Sequence, residues 1–146
     1  MSDSQTTLGE LKRLVANFVE RRDWHRFHSP KNLSMSMAIE AAELMEHFQW
    51  LSAEQSRDVI RHPPRLAAVT EELADVLCYV LAMANELGLD LSTAVRQKMA
   101  RNEQKYPVEQ YRGRFGPEDV GTKGERGKME DTGSTEAGGR PGLGIA

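Results

Sequence analysis

The sequence holds a single cysteine, Cys78, among 146 residues, so a disulfide within the chain is excluded. That thiol falls in the apolar stretch from Val76 to Ala84, where a buried core position is expected. Long apolar runs are missing too: none approaches the roughly 20 residues that a membrane-spanning helix needs. The opening Met1-Ser2-Asp3-Ser4-Gln5 has no basic segment leading into an apolar one, so a soluble, cytoplasmic protein is expected. Nor is there an excess of positive charge. Nineteen Lys plus Arg stand against 22 Asp plus Glu, a formal charge of −3, which gives no footprint for a nucleic acid polymer or an anionic membrane. Runs of alternating β-branched residues are absent as well, which removes the main competitor to a helical fold.

Glycine and the aromatic residues divide the chain. Ten of the 12 glycines lie at or after Gly113, whereas every Trp, Tyr and Phe lies at or before Phe115. The expected organisation is one all-α domain over residues 1–116 followed by a Gly-rich polar tail over 117–146. The tail has too little apolar surface to offset its ordering entropy and is expected to be disordered.

Helix signals punctuate the first part. Thr7 to Glu10 has the form of a capping box, and Leu8, Leu11, Leu14, Val15, Phe18 and Val19 follow at helical spacing to about Arg22. Asp23 to Lys31, rich in aromatic rings, predicts a connecting loop, and Asn32 to Leu51 a second helix. Ser52 to Gln55 repeats the capping-box pattern before a short segment that ends ahead of Pro63. Pro64 suits the first turn of a long helix stopped by Gly88; Asp90 or Ser92 then caps a last helix that ends before Pro107. The fold class is therefore all-α, a four-to-five-helix bundle.

Two of these helices carry an acidic stripe. At 100° per residue, Ser36, Glu40, Glu43, His47 and Trp50 share one line, with Met37, Ala41, Leu44, Phe48 and Leu51 on the neighbouring apolar line. On the long helix Glu72, Asp75 and Tyr79 share a line, with Val69, Leu73, Val76, Val80 and Leu87 on its apolar side. Acidic residues on a helix usually face water, and basic residues three or four positions away then offset their repulsion. Here, between Lys31 and Arg57, His47 is the only basic residue, and none lies between Arg65 and Arg96. If the two helices pack side by side, four carboxylates converge. A like-charge pair at 4 Å costs about 4 kcal/mol at an effective dielectric near 20, so protons or cations must intervene. All-oxygen ligands select hard divalent ions, and Mg²⁺ shares its shell readily with phosphates. A di-iron site is disfavoured, because it wants Glu-x-x-His on two helices and His47 stands four residues after Glu43.

Other residues complement such a site. Lys98, Arg101, Asn102 and Lys105 fall along one side of the last helix and offer charge and amide donors to phosphates. Trp24, Trp50 and Tyr79 are candidate stacking platforms for a nucleobase, and His28 a candidate hydrogen-bonding partner for a base edge or phosphate. Two further readings fit the same stripes: a metal–nucleotide sensor without turnover, and a helical interaction module for a basic partner.

Four blocks in order carry a resemblance. Arg22-Asp23-Trp24-His25-Arg26-Phe27-His28-Ser29-Pro30-Lys31-Asn32-Leu33 is the first, and Glu40-x-x-Glu43 leading to Phe48-Gln49-Trp50 the second. Glu71-Glu72-Leu73-Ala74-Asp75-Val76-Leu77-Cys78-Tyr79 and Lys98-Met99-x-x-Asn102-x-x-Lys105-Tyr106-Pro107 complete the set. Over about residues 7–112 the chain resembles the MazG-like all-α nucleotide pyrophosphohydrolases, in particular their dCTP pyrophosphatase branch. The resemblance implies an Mg²⁺-dependent enzyme that hydrolyses dCTP or a modified dCTP to monophosphate and pyrophosphate, assembled as a homo-dimer or homo-tetramer. It implies metal ligands and catalytic groups at Glu40, Glu43, Glu72 and Asp75. It also implies base contacts at Trp24, His28, Trp50 and Tyr79, and phosphate contacts at Lys98, Asn102 and Lys105. One position departs from the animal members of that branch, which carry His in the first helix where this chain has Val15.

Overall fold

The structure, a computed structural model, describes residues 2–114 and 116; the expected tail over 117–146 lies outside the described residues. Among the described residues the secondary structure is helical, without strands, as the sequence predicts. Six α-helices follow one another: α1 (Leu8–Glu20), α2 (Pro30–Glu46), α3 (Ala53–Arg57), α4 (Pro63–Glu86), α5 (Leu91–Lys105) and α6 (Val108–Tyr111). Single turns of 3₁₀ helix occupy His25–Phe27 and Asp58–Arg61.

Local chemistry sets the boundaries. Thr7 and Glu10 form the predicted reciprocal cap of α1, as Ser52 and Gln55 do for α3. α2 begins two residues earlier than its periodicity suggests, because the Ser29 side chain accepts from the Asn32 amide and Pro30 fits the first turn. It also ends earlier, at Glu46, and residues 47–50 continue as turns. Gly88, at φ +63°, takes the left-handed conformation that releases the chain from α4, and Asp90 caps α5 by accepting from the Thr93 amide at 3.1 Å and its hydroxyl at 2.7 Å.

Contacts divide the chain after Arg101. In the first unit α4 is the central rod, with α2 along it and α1 packed on its C-terminal half. Asn85 of α4 donates to the Lys12 carbonyl at 2.9 Å, and Lys12 donates through Nζ to the Leu89 carbonyl at 2.7 Å, which ties α1 to the end of α4. The core is small: Val19, Leu33, Val59, Leu81, Ala82 and Ala84 are buried. Two of these are alanines on α4, whose lack of bulk lets neighbouring backbones approach closely.

Two core expectations are corrected. Leu73 and Leu87 are 56% and 51% exposed, and Ala41 is exposed as well, because α1 and α2 cover only part of the α4 surface and α5 adds little cover. Cys78 is exposed rather than buried, since it stands on the side of α4 that borders an open cavity. Within the first unit α5 has only Leu91 partly covered; Val95 and Met99 are open to solvent. The end of α5 from Asn102, with α6, belongs to the second unit, where Tyr106 and Tyr111 meet edge to face at 5.1 Å. Among the described residues, no helix is long and apolar enough to cross a membrane.

Candidate functional site

The packing of α2 on α4 brings the two acidic stripes together. Glu40, Glu43 and Glu72 each present a carboxylate oxygen, and these oxygens lie within 4.8 Å of one another. Glu40 and Glu72 are half-buried, Glu43 is exposed. Asp75, one turn along α4 from Glu72, is close enough to act electrostatically on Glu40: burial first, then repulsion from Glu43, Asp75 and Glu72, raises the Glu40 pKa above its ordinary value. Among the described residues no Lys or Arg forms an ion pair with these carboxylates. The nearest basic group is His47 on the same side of α2, whose Nε2 lies 4.0 Å from a Glu72 oxygen, beyond hydrogen-bond reach.

Glu40 and Asp75 also belong to the wall of a cavity of about 720 Å³. This is ample for a nucleoside, given that small-molecule sites commonly span about 300–1,000 Å³. Its far side is aromatic and apolar, built from Val15 and Phe18 of α1 with Trp24 and Phe27 of the following loop. The Trp24 ring meets Phe18 edge to face at 5.8 Å and stacks on the His28 ring at 6.4 Å with an interplanar angle of 19°. The Arg22 guanidinium sits 3.6 Å from the Phe18 ring centroid and backs this cluster. Tyr79 lines the α4 side beside Cys78, whose thiol pKa is pushed above its ordinary value by burial and by the Asp75 carboxylate.

The loop holds its shape through backbone geometry that the sequence disguises. Asp23 adopts φ 52°, a left-handed turn that Asp tolerates better than most residues, and it directs Trp24 back toward α1. The Trp24 carbonyl then accepts from the Phe27 amide at 2.9 Å and from His28 Nδ1 at 2.9 Å. Asn32, in the first turn of α2, donates through Nδ2 to the Phe27 carbonyl at 3.1 Å.

Among the residues expected from sequence, Glu40, Asp75, Trp24, His28 and Tyr79 come together around one cavity, with Glu43 and Glu72 joined to it through Glu40. Trp50 does not join them: it is 86% exposed, in the turns after α2, and does not line the cavity. Lys98 is exposed on α5 and also lies outside the cavity wall. Asn102 and Lys105 fall in the second unit, where Asn102 is half-buried and Lys105 approaches the Tyr106 ring at 5.1 Å. Phe18, Asn32 and Cys78 also line the cavity, although nothing in the sequence marks them as site residues. Phe18 and Cys78 carry ordinary core signals, and Asn32 looks like the first residue of a helix; only the fold turns them toward a common space.

Comparisons with known proteins agree with this architecture. The model of the MazG-like family matches residues 35–114, a span that includes the carboxylates of both α2 and α4. Rat dCTP pyrophosphatase 1 is 43% identical over 109 residues, covering 75% of this chain and 64% of the relative. The human protein of the same name is 40% identical over 104 residues, 71% of this chain and 61% of the relative. The chain thus spans a little under two thirds of the length of these curated relatives. Among solved structures, a pyrophosphatase from Archaeoglobus fulgidus superposes with a TM-score of 0.65 at 38% identity, covering 73% of this chain and 98% of that one. With the carboxylates of both acidic helices inside the matched region and 73% of its length covered by that crystal structure, the chain belongs to the MazG-like family.

Proposed function

We propose that this chain is a nucleoside triphosphate pyrophosphohydrolase that hydrolyses dCTP or a modified dCTP to the monophosphate and pyrophosphate, with Mg²⁺ as its cofactor. The observation that carries the reading is the double membership of Glu40, which belongs both to the carboxylate cluster and to the wall of an aromatic cavity. One half of the site suits a polyphosphate with its counter-ions, and the other suits a base.

The donor set fits a hard divalent cation. Three carboxylate oxygens within 4.8 Å, with Asp75 adding its field and no Lys or Arg paired to them among the described residues, form an arrangement that added positive charge stabilises. Glu40, Glu43, Glu72 and Asp75 would hold Mg²⁺, which when bound offsets the charge of the triphosphate oxygens and makes a nearby water more acidic. The residues themselves orient: the carboxylates would hold the cation that pairs with the triphosphate, and one of them accepts the proton of the water that attacks the α-phosphorus as the bond to the bridging oxygen breaks and pyrophosphate leaves. The wall of Val15, Phe18 and Trp24 offers the nucleoside end an apolar surface to pack on. Tyr79 and Trp24 contact the base or sugar, and Lys98 is a phosphate contact on the strength of its donor chemistry.

We also assign a homo-oligomeric assembly, a dimer or tetramer. Its support is the large apolar side chains that one chain leaves open on α4 and α5, Leu73, Leu77, Val95 and Met99. The reading is tested by incubating the full chain with Mg²⁺ and each of the common nucleoside triphosphates and measuring pyrophosphate. Release from dCTP is expected; tight binding without product would favour a sensor instead.

A further inference from the structure

The site has a direction. The cavity is bordered on α2 by Asn32, Ser36 and Glu40 and on α4 by Asp75, Cys78 and Tyr79, and it reaches no further toward the end of α2 or the start of α4. The carboxylate cluster begins where the cavity stops, since Glu40 belongs to both and Glu43 and Glu72 to the cluster alone. Both helices thus give one order, reversed in sequence on α4: the aromatic cavity, then Glu40 with Asp75, then Glu43 with Glu72. His47 stands next on that line, seven residues and about 10 Å of helical rise beyond Glu40. Its Nε2 lies 4.0 Å from a Glu72 oxygen, and its side chain is only 29% exposed. A carboxylate only accepts, so the ring turns an N–H toward this side whether it carries one proton or two. At that distance the N–H is not bonded to Glu72 and is left for a ligand.

We infer that His47 is a hydrogen-bond donor to the β- and γ-phosphates, and that it makes the site select a nucleoside triphosphate over the monophosphate it releases. The inference rests on the reading of the chain as a nucleoside triphosphate pyrophosphohydrolase. With the base in the aromatic cavity and the α-phosphate beside Glu40, the order of both helices carries the rest of the polyphosphate toward His47. Carboxylates and phosphates crowd negative charge into this part of the site, and His47 is the nearest basic group to its outer end. A hydrogen bond from its Nε2 to a charged phosphate oxygen is roughly twice as strong as one between neutral groups. A monophosphate ends beside Glu40 and gains nothing from it. When the bond between the α-phosphorus and the bridging oxygen breaks, the electron pair leaves with pyrophosphate, so the growing charge falls on the side where His47 stands.

The test uses the full chain with Mg²⁺. Calorimetry measures binding of the α,β-imido analogue of dCTP, of inorganic pyrophosphate and of dCMP to the wild type, His47→Leu and His47→Gln. His47→Leu removes the donor and is expected to weaken the dCTP analogue and pyrophosphate by about tenfold, while dCMP binds as before. His47→Gln offers an amide N–H and is expected to restore most of that loss. His47→Ala, which also lacks the donor, should behave as His47→Leu does, with circular dichroism unchanged throughout. Mg²⁺ titrated without nucleotide should bind every variant alike. Weaker binding of Mg²⁺ alone in His47→Leu would mean that the ring acts through Glu72, and equal weakening of the dCTP analogue and dCMP that it supports the pocket. Either result overturns the inference, as does a dCTP analogue that binds the folded His47→Leu and His47→Ala as tightly as the wild type. Pyrophosphate release by the wild type reads the hydrolase separately. Binding that follows His47 without release would remove the hydrolase and keep the donor. Release with binding indifferent to His47 would do the reverse, and failure of the wild type to bind the dCTP analogue would overturn both.

Discussion

Glu40 of α2 and Glu72 of α4 face each other across the helix interface and, with Glu43, bring carboxylate oxygens within 4.8 Å. A cation gripped by both helices should therefore act as a staple between them. In thermal melts, adding Mg²⁺ to tenfold above its Kd is expected to contribute about 1.4 kcal/mol, raising Tm by about 5 °C or more. Glu72→Gln should abolish that response while circular dichroism stays helical. An unchanged Tm with Mg²⁺ would count against a metal at this place.

The same crowding sets a pH dependence. Burial and three acidic neighbours raise the Glu40 pKa, so the folded chain holds its proton more tightly than the unfolded chain does. Stability is then favoured below the ordinary glutamate value and declines as pH rises through the folded value. Metal-free protein is expected to lose stability over the window just above the usual glutamate range, and Glu40→Gln should flatten that slope. Mg²⁺ competes with the proton, so its stabilising effect should be larger at pH 8 than at pH 5. Urea titrations at several pH values, with and without Mg²⁺, check both statements.

Catalysis should follow the carboxylates more steeply than binding does. Glu43→Gln and Asp75→Asn are each expected to lower kcat for pyrophosphate release by about 100-fold or more, since replacing even an outer partner of a metal site costs about 10–100-fold. Both variants should fold, because Glu43 and Asp75 are exposed and replacing either relieves repulsion. Full activity in both would discard the proposed site.

Much of this arrangement is legible along the chain because its signals are local. Thr7 with Glu10, Ser52 with Gln55 and Gly88 each announce a helix end by side-chain chemistry alone, and the structure puts the ends there. The absence of basic partners around Glu40, Glu43, Glu72 and Asp75 marks those residues before any packing is known. Cys78 is different. Its neighbours read as core because periodicity reports an apolar face but not whether anything covers it, and here the face borders a cavity. Asn32 is hidden for another reason: its meaning comes from a bond to Phe27, five residues back through a 3₁₀ turn, which no helical or strand period encodes. Trp50 shows the limit of a stripe argument, since α2 gives way to turns after Glu46 and the extrapolated helix face no longer exists there.

Trp24 offers a test of the base side that leaves the phosphate side intact. Its ring is held between Phe18 and His28, at 5.8 Å and 6.4 Å, and lines the cavity. Stacking on an aromatic ring is worth about 1–3 kcal/mol per base by alanine substitution. Trp24→Ala should therefore weaken dCTP binding by about fivefold to 100-fold and raise KM more than it lowers kcat. Inhibition by inorganic triphosphate, which has no base, should not change. Weakening of both ligands alike would mean that the ring supports the fold rather than the nucleobase.

Cys78 reports on the same cavity from the α4 side. Its thiol is exposed, yet burial and the Asp75 carboxylate hold its pKa above the ordinary value, so its thiolate is scarce at neutral pH. Alkylation by iodoacetamide, followed by mass spectrometry of the intact chain, is expected to be slower than that of a free thiol and to accelerate at higher pH. Asp75→Asn removes one of the two causes and should speed the reaction at pH 7.5 by a few-fold. A nucleotide seated in the cavity covers Cys78, so the dCTP imido analogue with Mg²⁺ should protect it, whereas Mg²⁺ alone should leave it open to the reagent. Protection by Mg²⁺ alone, or none with the analogue, would separate Cys78 from the nucleotide and place the ligand on some other face of α4.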